Sequence, residues 1–150
     1  MAPRIADCPL GRAVALIGSW WALELLHEAF DGRSRLDEVC RNLDLPPRVV
    51  RERVEDLVRR GLLAVRDDRV VPTGLAHRVR PVLLVLAALG NAGLAPAERG
   101  LVLVDRATGA EVEPVVVDRR TGRRVDTEGF AFAAGPAASL ALRARYPAGA

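Results

Sequence analysis

Two short segments of helical periodicity, separated by a proline-containing turn, constrain this chain most. Residues 34–43 place Leu36, Val39, Cys40 and Leu43 at helical spacing. Ser34 reads as an N-cap, with Asp37 at the third helical position. Asp44-Leu45-Pro46-Pro47 follows, and because proline is tolerated in a first helical turn, this stretch reads as a turn that opens another helix. That helix runs to about Arg60, with Val50, Val54, Leu57 and Val58 apolar, and Gly61 ends it. Leu62–Val65 and Val70–Val71 then read as short strands on either side of Arg66-Asp67-Asp68-Arg69, a small hairpin.

The flanks extend this pattern. Residues 10–17 form a first helix, interrupted by Gly18, with Ser19 as a cap for a second helix over Trp20–Phe30 that stops at Asp31-Gly32. Thr73 caps a long helix, about 74–92, that is apolar on nearly all sides from Val82 to Leu89. Residues 101–127 change period: Leu101–Val104 and Val115–Val117 are strand-like. Val104–Glu113 is repeated by Val117–Asp126, each copy carrying an Asp-x-x-Thr-Gly turn, so two tandem hairpins are expected. Residues 128–150 are rich in Ala and Gly, with room for one short helix near 137–145. The expected fold class is α+β: a mostly helical winged helix-turn-helix over 1–95, carrying a small β-hairpin appendage over 96–150.

Composition limits the functional classes. All 22 basic residues are Arg, but 19 acids leave a net charge of only +3, spread over both halves. A polybasic tail is excluded, so any DNA-binding charge must be concentrated by folding. Two cysteines make neither a disulfide framework nor a metal quartet. The N-terminal stretch does not read as a signal peptide and no apolar run reaches membrane-spanning length, so a cytoplasmic protein without a membrane partner is expected. No nucleophile–base pair, carboxylate dyad or phosphate loop is present, so an enzyme is not expected, nor a cofactor.

A winged helix-turn-helix works by inserting its second helix into the major groove while the preceding helix and the wing touch phosphates. Arg48 and Arg51 lie in the N-terminal half of that helix, where base edges come within reach. Arg41, Arg53, Arg66 and Arg69 are the candidates for phosphate contact. Glu52, Glu55 and Asp56 share the helix, and serve either to orient these arginines or to oppose DNA.

Several collinear motifs carry a family resemblance. Cys8-Pro9-Leu10-Gly11-Arg12, Leu16-Ile17-Gly18, Trp21, Leu25-Leu26 and Phe30-Asp31-Gly32 form one set. Arg35–Glu38, Pro47–Val50 with Glu52-Arg53-Val54, Leu57, Gly61-Leu62, Thr73, Leu75 and Arg80–Leu83 continue it. Over roughly residues 8–90 the chain resembles the HxlR-type regulators of the MarR-like superfamily. The resemblance implies a homodimer, assembled through its outer helices, whose paired recognition helices read a palindromic operator in double-stranded DNA as a repressor. Three features depart from the pattern: a short wing, Pro46 where a serine commonly starts the recognition helix, and Trp20 where a basic residue is common. Some relatives carry a zinc knuckle in the appendage. Here Thr108-Gly109 and Asp118–Gly122 stand at those places without cysteines, so no metal is expected.

Other residues admit two readings. Cys8 is a candidate redox thiol or an unreactive small residue, and Cys40 is a packing residue. Trp20 and Trp21 are candidates for a small-molecule effector site, or for the dimer interface and the core respectively. His27 and His77 lack metal-ligand spacing, and Arg119, Arg120, Arg123 and Arg124 cluster around a turn. The alternative function is a ligand-binding or protein-interaction module on a winged-helix scaffold that has lost DNA binding.

Overall fold

A computed structural model describes residues 8–146. The elements in order are α1 (Pro9–Ile17), α2 (Trp21–Phe30), α3 (Leu36–Asn42), α4 (Pro47–Arg59), β1 (Leu63–Arg66), β2 (Arg69–Pro72), α5 (Gly74–Gly90), a 3₁₀ turn (Pro96–Glu98) and α6 (Leu140–Arg145). Among the described residues the fold is mostly helical with one two-stranded antiparallel sheet, the wing hairpin that the sequence predicts. The packing divides the described residues into two units: Trp20–Val115, and residues 8–19 together with 116–146. This differs from the boundary expected at 95/96, because residues 96–115 pack with the helical part.

Every described residue of the buried core lies in Trp20–Val115. Ala22, Leu25, Leu26 and Ala29 line one face of α2, and Val50, Val54 and Leu57 line the core face of α4. Leu62, Leu63 and Val70 of the hairpin and Ala76 and Val79 of α5 complete the core. Helical periodicity produced these stripes, and burying each Leu or Val contributes about 1.5–3 kcal/mol.

Two of the described polar residues, Glu28 and Ser34, are buried among them. Glu28, only 6% exposed, accepts a 2.6 Å hydrogen bond from Asn42 Nδ2 at the end of α3 and a 3.2 Å bond from Arg33 Nη1. The carboxylate thereby ties α2 to the helix-turn-helix, and its partners offset the cost of taking a charge out of water.

Two expected caps are replaced. Ser34 does not cap α3; Arg35 is its N-cap, with an extended backbone. Ser34 is drawn instead into the sheet: its carbonyl accepts from Val70 N at 2.7 Å, its Oγ from Arg69 Nη1 at 3.0 Å, and Arg35 bridges Arg69. Ladder pairing of the backbone outweighs the side-chain cap here. Ser19 likewise gives way to Trp20 as the N-cap of α2, without a side-chain capping bond. Thr73 does cap α5, its Oγ1 accepting from Ala76 N at 3.2 Å while donating to Gly61 O at 2.7 Å.

The runs Leu101–Val104 and Val115–Val117 form no continuous strands. Each repeat is closed only by one isolated bridge, Val104 to Glu111 and Val117 to Arg124. The valines around these turns are exposed, so nothing rewards extending the ladder beyond the turn. The turns themselves form as read. Gly109 and Gly122 take positive φ, and the Asp105 and Asp118 carboxylates accept from backbone N–H groups inside their own turns. The expected C-terminal helix is present as α6.

Asn42→Ala leaves Glu28 with Arg33 alone. It is expected to lower stability by about 1–3 kcal/mol, read as a fall in thermal midpoint at neutral pH, whereas Asn42→Asp, which sets a second carboxylate beside Glu28, is expected to lower it further.

Candidate nucleic-acid interface

The second helix of the pair is held by its apolar stripe, and this decides what it presents outward. With Val50, Val54 and Leu57 buried, Arg48, Arg51, Glu52 and Glu55 face solvent on the opposite side. Pro46 is the N-cap, with an extended ψ of 143°, and Pro47 occupies the first turn, so the helix opens without a side-chain cap. Asp44, at φ 49°, makes the turn from α3.

The candidate arginines fall into distinct environments. Arg48 Nε donates to Glu52 Oε1 at 2.9 Å, an exposed i,i+4 pair. Arg51, one turn along the same face, is exposed and has no hydrogen bond or ion pair among the described residues. Arg53 is half-buried, with its guanidinium over the Trp21 ring, 5.3 Å from the centroid. Arg41, on α3, lies 3.7 Å from Asp37. Arg66 and Arg69 are the last residue of β1 and the first of β2, at the wing tip, and Arg69 is held by Ser34. Five of the six therefore lie exposed on the helix-turn-helix and wing, and one is bound into an aromatic contact. The pairing of Arg53 with Trp21 escapes sequence reading, because it joins two helices that are far apart in the chain.

Asp56, on the flank of α4, receives Arg60 Nε at 2.8 Å and Arg59 Nη2 at 3.0 Å. The hydrogen bond from Arg60 holds its carboxyl below the ordinary aspartate range. Asp56 thus pairs with the two arginines at the C-terminal end of the helix.

The wing is a two-residue hairpin. Asp67 and Asp68 both take positive φ, 49° and 59°, the conformation of a type I′ turn. Aspartate adopts it less readily than Asn-Gly, and the tip carries two negative charges between its two arginines.

Of the remaining candidates, Cys8 and Cys40 are free thiols, both partly exposed. Trp20 is 68% exposed. His27 lies 3.4 Å from Asp31, and His77 sets its ring edge-on to Phe30 at 5.3 Å. Among the described residues, no group of three or more His, Cys, Asp or Glu is placed to hold a metal ion. Among the described residues, no helix is long and apolar enough to cross a membrane.

A helix pair joined by a tight turn, backed by a third helix and followed by a hairpin wing, defines the winged helix-turn-helix transcription-factor fold. Comparison with known proteins agrees. A solved structure from Pseudomonas aeruginosa, described as a "putative transcription factor", superposes with a TM-score of 0.66 at 34% identity, over 92% of this chain and 99% of that one. The chain belongs to the family of that protein, among the winged helix-turn-helix regulators. A second solved structure with the same description shares the fold, with a TM-score of 0.74 at 24% identity over 87% of this chain and 96% of that one. Uncharacterized HTH-type transcriptional regulators of Mycobacterium tuberculosis and Mycobacterium bovis are 42% identical over 61 residues, 41% of this chain. The chain aligns with only 36% of the length of these mycobacterial relatives. No protein-family model matches the chain.

Replacing Asp67-Asp68 with Asn-Gly gives the turn residues suited to its backbone. The double variant is expected to gain about 1 kcal/mol, seen as a thermal midpoint higher by about 5 °C. An unchanged or lower midpoint in calorimetry contradicts the type I′ geometry.

Proposed function

We propose that this protein is a sequence-specific DNA-binding regulator of the HxlR type, acting as a dimeric repressor. The observation that carries the reading is the exposed N-terminal face of α4, where Arg48 and Arg51 project opposite the buried Val50–Val54–Leu57 stripe. Arg48 in the first turn and Arg51 one turn on reach base edges, where a guanidinium holds guanine bidentately. Arg41, Arg66 and Arg69 serve the flanking phosphates. Arg53 fixes α4 against α2 through Trp21. A dimer seated on a palindromic operator blocks access to the promoter beneath it, which is the physical content of repression.

The dimer reading rests on unpartnered apolar surface. On α5, Val82, Val85, Leu86 and Leu89 recur at helical spacing and are all exposed, Leu89 to 68%. On α1, Leu10 and Val14 are exposed and no residue is buried. A second copy, related by a two-fold axis, would cover these faces and set two α4 helices about one DNA turn apart.

A second reading, a protein-binding or ligand-binding module that has given up DNA, draws on two observations: Glu52 engages Arg48, and the wing tip carries Asp67 and Asp68.

Binding titrations on the chain's own upstream DNA and on a scrambled sequence separate the readings. Arg48→Ala and Arg51→Ala are each expected to cost about 1–3 kcal/mol on the operator and little on scrambled DNA. Arg66→Ala is expected to weaken both and to reduce the salt slope by about one unit. If the unsubstituted protein prefers no upstream sequence, the second reading replaces the first.

Light scattering at micromolar concentration is expected to give twice the chain mass, and Leu86→Glu to give a monomer of unchanged helicity. A monomeric mass for the unsubstituted protein sinks the dimer.

A further inference from the structure

The other side of α5 borders a cavity of about 770 Å³ that no part of the DNA reading uses. It lies wholly within Trp20–Val115, between α2, α5 and the segment 99–114. The walls of α5 come from Leu83, Leu84, Ala87 and Ala88, whereas Val82, Val85, Leu86 and Leu89 point elsewhere. The same helix therefore has two apolar stripes, one proposed above for a second copy and one facing an open space. Leu23 and Phe30 of α2 and Leu103 of the outer segment add further apolar lining.

Side-chain bonds hold the outer wall. Asn91 Nδ2 donates to Leu101 O at 2.8 Å, and Arg99 Nη1 donates to Glu111 Oε1 at 2.7 Å. The volume lies in the range of small-molecule sites, whose usual makeup is an apolar lining with a few converging polar groups.

The charges around the space select the ligand. Glu24, Asp31, Glu111 and Glu113 face two guanidiniums, Arg80 and Arg99, so the lining is formally negative with its histidine neutral. Both guanidiniums are engaged: Arg99 by Glu111, and Arg80 over the Phe30 ring at 5.9 Å. Asp31 is shared by His27 at 3.4 Å and Arg33 at 3.6 Å. Glu24 and Glu113 remain, with no hydrogen bond or ion pair among the described residues. Glu24 is the half-buried one, set on α2 among the apolar walls. A carboxylate of this kind, beside uncovered leucines, favours a ligand with both a positive charge and an apolar body. An anion would meet a lining of its own sign, and a neutral apolar ligand would leave Glu24 without a partner while covering it.

We propose that this cavity is a binding site for a lipophilic organic cation, with Glu24 as its counter-charge. The proposal is independent of DNA binding, because it is read by direct titration of the protein alone.

Isothermal titration calorimetry with tetraphenylphosphonium and tetraphenylborate, ions of matched shape and opposite charge, tests it on the full chain. One phosphonium per chain is expected to bind, at least about tenfold more tightly than the borate. Glu24→Gln, which keeps the shape of the side chain, is expected to weaken the phosphonium roughly threefold or more and to leave the borate no weaker. Ala88→Trp, which fills the space, is expected to abolish phosphonium binding, with circular dichroism reporting whether the variant is folded. Equal affinity for the two ions, absence of phosphonium binding, or an indifferent Glu24→Gln each overturns the proposal. The comparison of the two ions on the unsubstituted chain requires no variant to fold.

Discussion

Everything the helix-turn-helix presents depends on the burial of Val50, Val54 and Leu57. Val50 and Leu57 are fully buried and Val54 nearly so. A helix held at three points along one stripe has no freedom to rotate about its axis without exposing a leucine or valine, at about 1.5–3 kcal/mol each. That constraint points Arg48 and Arg51 outward. Capping contributes little to the start of the helix, where two prolines stand, so packing must position it. Glu28 completes the arrangement from below, because its bond to Asn42 fixes the end of α3 at the turn that aims α4.

How much of this was legible in the sequence follows from the range of the interactions involved. The stripes of α2 and α4, the prolines at the start of α4, Gly61 and the Thr73 cap are local signals, and the elements stand where those signals place them. Ser34 was misread because a good cap residue can also be the edge of a sheet, and its partner Val70 lies 36 positions away. Leu101–Val104 and Val115–Val117 were misread because β-propensity describes a residue paired on a half-buried pleated surface: the first run lies instead as an irregular wall beside α5, and Val115–Val117 are exposed. The grouping of residues 96–115 with the helical unit rests on contacts such as Asn91 to Leu101 that no periodicity announces. The cavity was not legible at all. Its lining draws on three separated segments, and Glu24 and Arg80 carry no motif that links them. The tryptophans that invited a ligand reading do not line it: Trp21 supports Arg53, and Trp20 faces solvent.

The two repeats in the second half show how a tight turn is held by its own side chains. In the second, Asp118 Oδ2 accepts from Thr121 Oγ1 at 2.6 Å, the backbone of Arg120 donates to Oδ1, and Gly122 closes the turn with positive φ. The hydrogen bond from Thr121 is the main reason the Asp118 carboxyl lies below the ordinary aspartate range. In the first, Asp105 takes the backbone N–H groups of Ala107 and Thr108 in the same way. A carboxylate that collects donors from its own turn supplies locally the organising role that thiolates and a zinc ion serve in a knuckle. The difference lies in reach. A metal can link two turns into one body, whereas each of these turns satisfies only itself, which fits their closure by a single bridge apiece. The exposed valines beside them follow from the same limit: a turn that organises only its own backbone builds no sheet, and without a sheet there is no second layer for those valines to be buried against.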